Sequence, residues 1–222
     1  MRENILIANC DFSKTESFGN GSFNLEVLQT TGNEVERTYK NGSLFFYLQE
    51  GSAKISNELY SFDVLPGMYF SQKAPYKVHL SRKSKALMIS IDHFHCLNMI
   101  GGPIEPLGRL IYINGCSDTL LISPSRLGEP CLNLLHFPAN TNQTLHHHPS
   151  FRFGIVASGE GESVSDAGSQ KLNTGDCFFI PAYVSHKFNT FGHSMNIIAF
   201  HPDSDWGPTD EVHPMKNRTI IS

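Results

Sequence analysis

Two pairs of glycines in this chain share one spacing. Gly51 and Gly67 stand sixteen residues apart, as do Gly159 and Gly175, and one ungapped offset of 108 relates the pairs. The same offset lays Ile89-Ser90-Ile91-Asp92-His93 on Ile197-Ile198-Ala199-Phe200-His201. Glycines alone can coincide in unrelated meanders, but glycines plus a strand end at a single offset point to a duplicated unit. The copies run from about Phe23 to Asp92 and from about Asn133 to His201. In both, short apolar runs such as Leu44-Phe45-Phe46-Tyr47-Leu48 and Cys177-Phe178-Phe179-Ile180 are broken by turn residues. Runs this short favour strands over helices. One helical piece is expected, near residues 93–100.

The 222 residues suit two domains of roughly 100 residues each. Residues 1–98 are read as the first unit, 99–128 as a linker with crossing strands, and 129–222 as the second unit. Gly101 to Gly108, with Pro103 and Pro106, reads as the linker. Leu110-Ile111-Tyr112-Ile113 and Leu120-Leu121-Ile122 read as strands packing across the two units, and residues 202–217 as an ordered loop. A hydrophobic share of 40% allows a packed core at this length.

Charge excludes some functions. The net charge of -4 and the absence of any basic run argue against nucleic acid. No 18-residue apolar stretch and no apolar leader segment occur, so no membrane partner and a cytoplasmic location are expected. Cys10, Cys96, Cys116, Cys131 and Cys177 are odd in number and dispersed, as reduced thiols are.

The most informative stretch is Thr144-Leu145-His146-His147-His148-Pro149. On a strand His146 and His148 face one way and His147 the other. Two imidazoles on one face are close enough to share a divalent metal. A triple histidine alone would equally suit an exposed polar loop. His186 tips the balance, because the Gly175-Asp176 turn and Pro181 allow the chain to return beside the first two.

These residues resemble the two motifs of the cupin superfamily. His146, His148 and Gly159 match the first motif, and Gly175, Pro181 and His186 the second. Asn140 and Arg152 replace the opening glycine and the glutamate of the first; Tyr183 and Thr190 replace a glycine and an asparagine of the second. The resemblance implies an all-β fold of two jelly-roll-like (double-stranded β-helix) barrels in one chain. It also implies one divalent metal ion on His146, His148 and His186, with Fe(II) favoured over Zn, Mn or Ni. Carried back by 108, the ligand positions become Thr38, Lys40 and Val78, so the first barrel is expected to be degenerate and metal-free. His79 lies one residue off, on the wrong face.

Arg152 cannot replace the glutamate as a ligand, since a guanidinium offers no lone pair. On the inward face it would instead hold an anionic substrate beside the metal; turned outward it would pair with a structural acid. Cupins with three histidines and no glutamate include dioxygenases, so an Fe(II) dioxygenase-type reaction on a small organic anion leads. Isomerisation by enolisation is the alternative, with His201 or Tyr183 moving the proton; a non-catalytic metal-containing binding protein is the third reading. A homodimer is left open.

Overall fold

In the computed structural model, which describes residues 4–9, 11–217 and 219–222, nearly all regular structure is strand. The first half holds β1 (Leu6–Ala8), β2 (Phe12–Phe18), β3 (Gly21–Gln29), β4 (Val35–Tyr39), β5 (Ser43–Glu50) and β6 (Ala53–Ser56). It continues with β7 (Ser61–Val64), β8 (Tyr69–Lys73), β9 (Tyr76–Leu80), β10 (Lys85–Ile91) and β11 (Met99–Gly101). The second half holds β12 (Leu110–Ile111), β13 (Ser117–Ile122), β14 (Cys131–Phe137) and β15 (Arg152–Ser165). It ends with β16 (Gly168–Asn173), β17 (Cys177–Ile180), β18 (His186–Asn189) and β19 (Met195–His201). Pairing among these strands is antiparallel. No helix among the described residues is long and apolar enough to cross a membrane.

The offset of 108 reappears as topology. One sheet runs β11-β8-β5-β10-β3-β2, and the largest runs β1-β17-β15-β19-β14-β13-β12. Shifted by 108, β8, β5, β10, β3 and β2 fall on β17, β15, β19, β14 and β13, in the same lateral order. The four glycines share one conformation, with φ of 82° and 83° at Gly51 and Gly67 and 80° and 86° at Gly159 and Gly175, where a side chain would be strained. Each copy also slips register at the same place. Gln49 is skipped between β5 and β10, and Ala157 between β15 and β19. These bulges meet: Gln49 Nε2 donates to the Ala157 carbonyl at 2.8 Å. The edge strand beyond β17 is β1, from the start of the chain, pairing Leu6 with Phe179 and Ala8 with Cys177.

Alternation divides the side chains between interiors. On β19, Ile198 and Phe200 face a cluster shared with the first half, built from Phe23, Phe45 and Leu87 among others. Phe45 meets Phe200 edge-on at 5.3 Å, and Phe23 meets Phe151 at 5.5 Å. Met195, Ile197 and Ala199 face the other way, into a cluster with Phe137, Phe178 and Phe188. The first half has its own interior, filled by Phe46 stacked on Phe70 at 4.5 Å, with Leu44 and Val78 fully buried.

The expected helix near 93–100 does not form. The segment is a turn with His93 at φ 60°, followed by β11. Its backbone groups bond to side chains instead: Ser43 Oγ donates to Phe94 O, Cys96 N donates to Ser43 Oγ, and Ser71 Oγ donates to Leu97 O. The linker is tightly packed: a Cβ on Gly108 would lie 2.4 Å from Asp118 N. Of the two expected strands, the first stops at Ile111 because Ile113–Gly115 form a tight 3-10 turn, and the second, Ser117–Ile122, begins three residues earlier than Leu120. The tail is a loop up to the short helix Pro214–Asn217, which the expected loop did not include, and it is held where Leu127 N donates to Pro208 O and Gly128 N to Ser204 O. Cys96, Cys116, Cys131 and Cys177 are free thiols; Cys10 lies outside the described residues.

Candidate metal centre

His146 precedes β15 in an extended segment, and His186 opens β18. Their backbones exchange both hydrogen bonds, His146 N to His186 O at 3.0 Å and the reverse at 2.8 Å. Tyr183 N donates to His148 O at 2.8 Å, so both ligand-bearing segments are fixed on one another. The ring centroids of His146, His148 and His186 stand 4.7–5.2 Å apart. One ring nitrogen from each lies within 4.8 Å of the others, a spacing that suits one ion between them. His147 is exposed and its ring approaches Tyr183 at 6.4 Å, on the opposite side.

The donor set suits a divalent cation. His146 Nδ1 bonds Thr144 O and His186 Nδ1 bonds Val184 O, both at 2.8 Å. A carbonyl only accepts, so Nδ1 carries the proton and Nε2 presents its lone pair. Burial, then Arg152 and the neighbouring rings, push the His148 pKa down to about 3. Burial also pushes His186 down to about 4, against the opposing hydrogen bond to Val184 O. Both rings are therefore neutral at physiological pH, the form that could bind a metal.

Arg152 and His201 line the same cavity, of about 40 Å³, with the three imidazoles. By the rule that one water needs roughly 10–15 Å³, it holds only a few small atoms. Phe137, Phe178, Phe188 and Ile197 give it an apolar lining. Arg152 thus faces inward, the first of the two arrangements its sequence left open. Its Nη1 donates to Ser150 O, Ser150 Oγ and Phe151 O at 3.2, 2.6 and 2.9 Å. Ser150 Oγ passes a 2.5 Å bond on to Asp203. The Arg152 Nε is buried with no hydrogen-bond partner. His201 lies 6.5 Å from His148, and burial holds its pKa well below the usual value.

Tyr183 is placed elsewhere: its side chain is 70% exposed and lines an outer surface hollow with Ser165 and Asp166, apart from the three-histidine cavity. It keeps the backbone of the glycine it replaces, with φ 61°, and Asn140 does the same at 62°. A left-handed L-residue costs roughly 1–2 kcal/mol, and a glycine returns roughly 0.4–1 kcal/mol through unfolded-chain freedom. Tyr183→Gly is therefore expected to keep its metal and gain about 0.5–1 kcal/mol, measured by thermal melting and metal analysis. Lost metal or a lower Tm would give Tyr183 a part in the site.

Among its described residues the first half assembles no matching cluster. Thr38 and Lys40 are exposed, Val78 is buried among apolar side chains, and His79 bonds Glu34 at 3.1 Å. Two cavity residues, Tyr112 and Gln143, had not been singled out by sequence. Gln143 accepts Phe188 N–H at 3.1 Å; its sequence context is an ordinary polar loop. Tyr112 sits in an apolar run that reads as strand.

Residues 133–200 match the sequence family described as Cupin domain. No curated protein matches the chain. Solved structures extend the likeness to the whole fold. A Cupin 2 conserved barrel domain protein from Leptotrichia buccalis is 15% identical, with TM-score 0.61 and 91% of each chain covered. A putative glyoxylate induced protein from Pseudomonas aeruginosa is 14% identical, with TM-score 0.64, covering 93% of this chain and 83% of that one. The oxalate decarboxylase of Bacillus subtilis, a protein with Mn(II) centres, is 11% identical, with TM-score 0.54, covering 90% and 78%. The fold class follows: this is a strand-dominated chain of cupin fold, whose residues 133–200 match the Cupin domain model.

Proposed function

We propose that the protein is a divalent-metal enzyme acting on a small carboxylate held between a metal at His146, His148 and His186 and the guanidinium of Arg152. The observation that carries this reading is the placement of Arg152, whose buried Nε has no hydrogen-bond partner, among the residues that line the cavity with the three imidazoles. A buried donor without an acceptor costs about 1–3 kcal/mol, and a cation beside a divalent ion adds repulsion. A bound carboxylate removes both penalties. The ion, Fe(II) first and Mn, Zn or Ni next, supplies Lewis acidity and, as iron, electron transfer with O₂.

The chain's own residues do the rest. Arg152, steadied through Ser150 by Asp203, orients the anion. The phenylalanines give the anion's carbon side an apolar surface to rest on. His201, kept neutral by burial, lines the cavity and would be the proton acceptor in enolisation, the second reading. The first half acts as a metal-free barrel of a bicupin and braces the second.

The test is reconstitution with Fe(II), then incubation with a panel of two- to four-carbon oxo and hydroxy acids. Oxygen uptake with substrate loss supports the dioxygenase reading. Substrate loss at the same rate without O₂ supports enolisation. A protein that retains no metal after dialysis, or consumes no panel member, defeats the enzyme reading.

A further inference from the structure

Tyr112 reaches the metal cavity from outside the motif-bearing strands. It lies between β12 and the Ile113–Gly115 turn, in the segment that joins the two halves, and packs against the apolar cluster behind the histidines. That segment is docked rather than loose. Tyr112 N donates to Cys116 O at 2.8 Å, and Cys116 N to Ile113 O at 3.1 Å. Asn114, at φ 55°, accepts the Thr144 N–H at 2.7 Å, while the Thr144 carbonyl holds His146 Nδ1. The turn that carries Tyr112 is thus bonded to the residue that orients a metal ligand. The other residues that line the cavity are apolar side chains, Gln143, Arg152 and imidazoles.

We infer that Tyr112 is the roof of the anion subsite and its second hydrogen-bond donor. With Arg152 it would restrict the site to a carboxylate of few atoms. The inference rests on the function proposed above and deepens it. Three observations meet here: Tyr112 lines the cavity, the cavity is about 40 Å³, and the Asn114–Thr144 bond holds the turn in place. Burial and Asp118 also raise the phenol pKa, against Arg152, so the hydroxyl keeps the proton it would donate. A neutral phenol and a guanidinium together offer donors only to an anion's oxygens, whereas the metal takes a lone pair from it.

Co(II)-loaded protein provides the test, with visible absorption reporting the metal's surroundings and formate and benzoate as probes. Wild type is expected to take one Co(II) per chain, bind formate and refuse benzoate. Tyr112→Phe should keep its Co(II) and bind formate about tenfold or more weakly, the effect of a hydrogen bond to a charged group. Tyr112→Ala should keep its Co(II) and admit benzoate. Formate affinity within twofold of wild type in Tyr112→Phe overturns the inference, as does continued refusal of benzoate by Tyr112→Ala. If Arg152→Leu binds formate normally while Tyr112→Phe does not, the Arg152 anchor fails and the Tyr112 assignment stands. If wild type takes up no Co(II), or no formate, both fall.

Discussion

Protein purified without a metal-affinity tag is expected to carry close to one divalent ion per chain, and His186→Ala almost none. His186 is buried and bonded through its backbone to His146, so the substitution leaves two imidazoles around a hole. Loss of a hydrogen bond behind a ligand already weakens metal binding about 10- to 100-fold; loss of the ligand exceeds that. His146→Ala and His148→Ala should fall with it. His147→Ala should keep nearly all its metal, because that ring lies exposed on the opposite side beside Tyr183. Elemental analysis of the four variants decides the matter. Equal losses in all four, or two ions per wild-type chain, would contradict the site drawn here.

The second large effect belongs to Arg152. Arg152→Leu should leave metal content almost unchanged and weaken binding of a small carboxylate. A hydrogen bond to a charged group contributes on the order of 1.5–3 kcal/mol, or about 10- to 150-fold at 1.4 kcal/mol per decade. Arg152→Glu should behave differently: a carboxylate beside the imidazoles would tighten the metal and repel the anion, abolishing binding. Calorimetric titration of metal and of formate into both variants separates the cases. If both variants merely melt earlier and bind formate normally, the Ser150–Asp203 contact is the whole of what Arg152 does.

The site was more legible than its surroundings. Period-two alternation separates His147 from its neighbours, and the glycine frame brings His186 back to them; both follow from local geometry. The offset also singles out Thr38, Lys40 and Val78, which form no histidine cluster among the described residues. Tyr112 was not legible, because where a cross-segment lands depends on packing between distant strands. The direction of Arg152 was open for the same reason, since the cavity wall comes from β14, β15, β17, β18 and β19 together. The helix expected near 93–100 failed because Ser43 and Ser71, far off in sequence, claim its backbone. Tyr183 shows a subtler miss: the backbone kept the left-handed turn after the glycine was gone.

The cluster in which Phe23, Phe45 and Leu87 pack on Phe151, Phe153 and Phe200 belongs to neither half alone. Pulling the first half away would strip one wall from β15 and β19, the strands that carry Arg152 and His201. Ligand binding that favours the folded chain is therefore felt on both sides of that wall by mass action. Strands that never approach an ion would gain protection against hydrogen exchange when one binds at the histidines. If an ion binds at the histidines, the half that lacks this cluster is in this sense a thermodynamic partner of the half that has it.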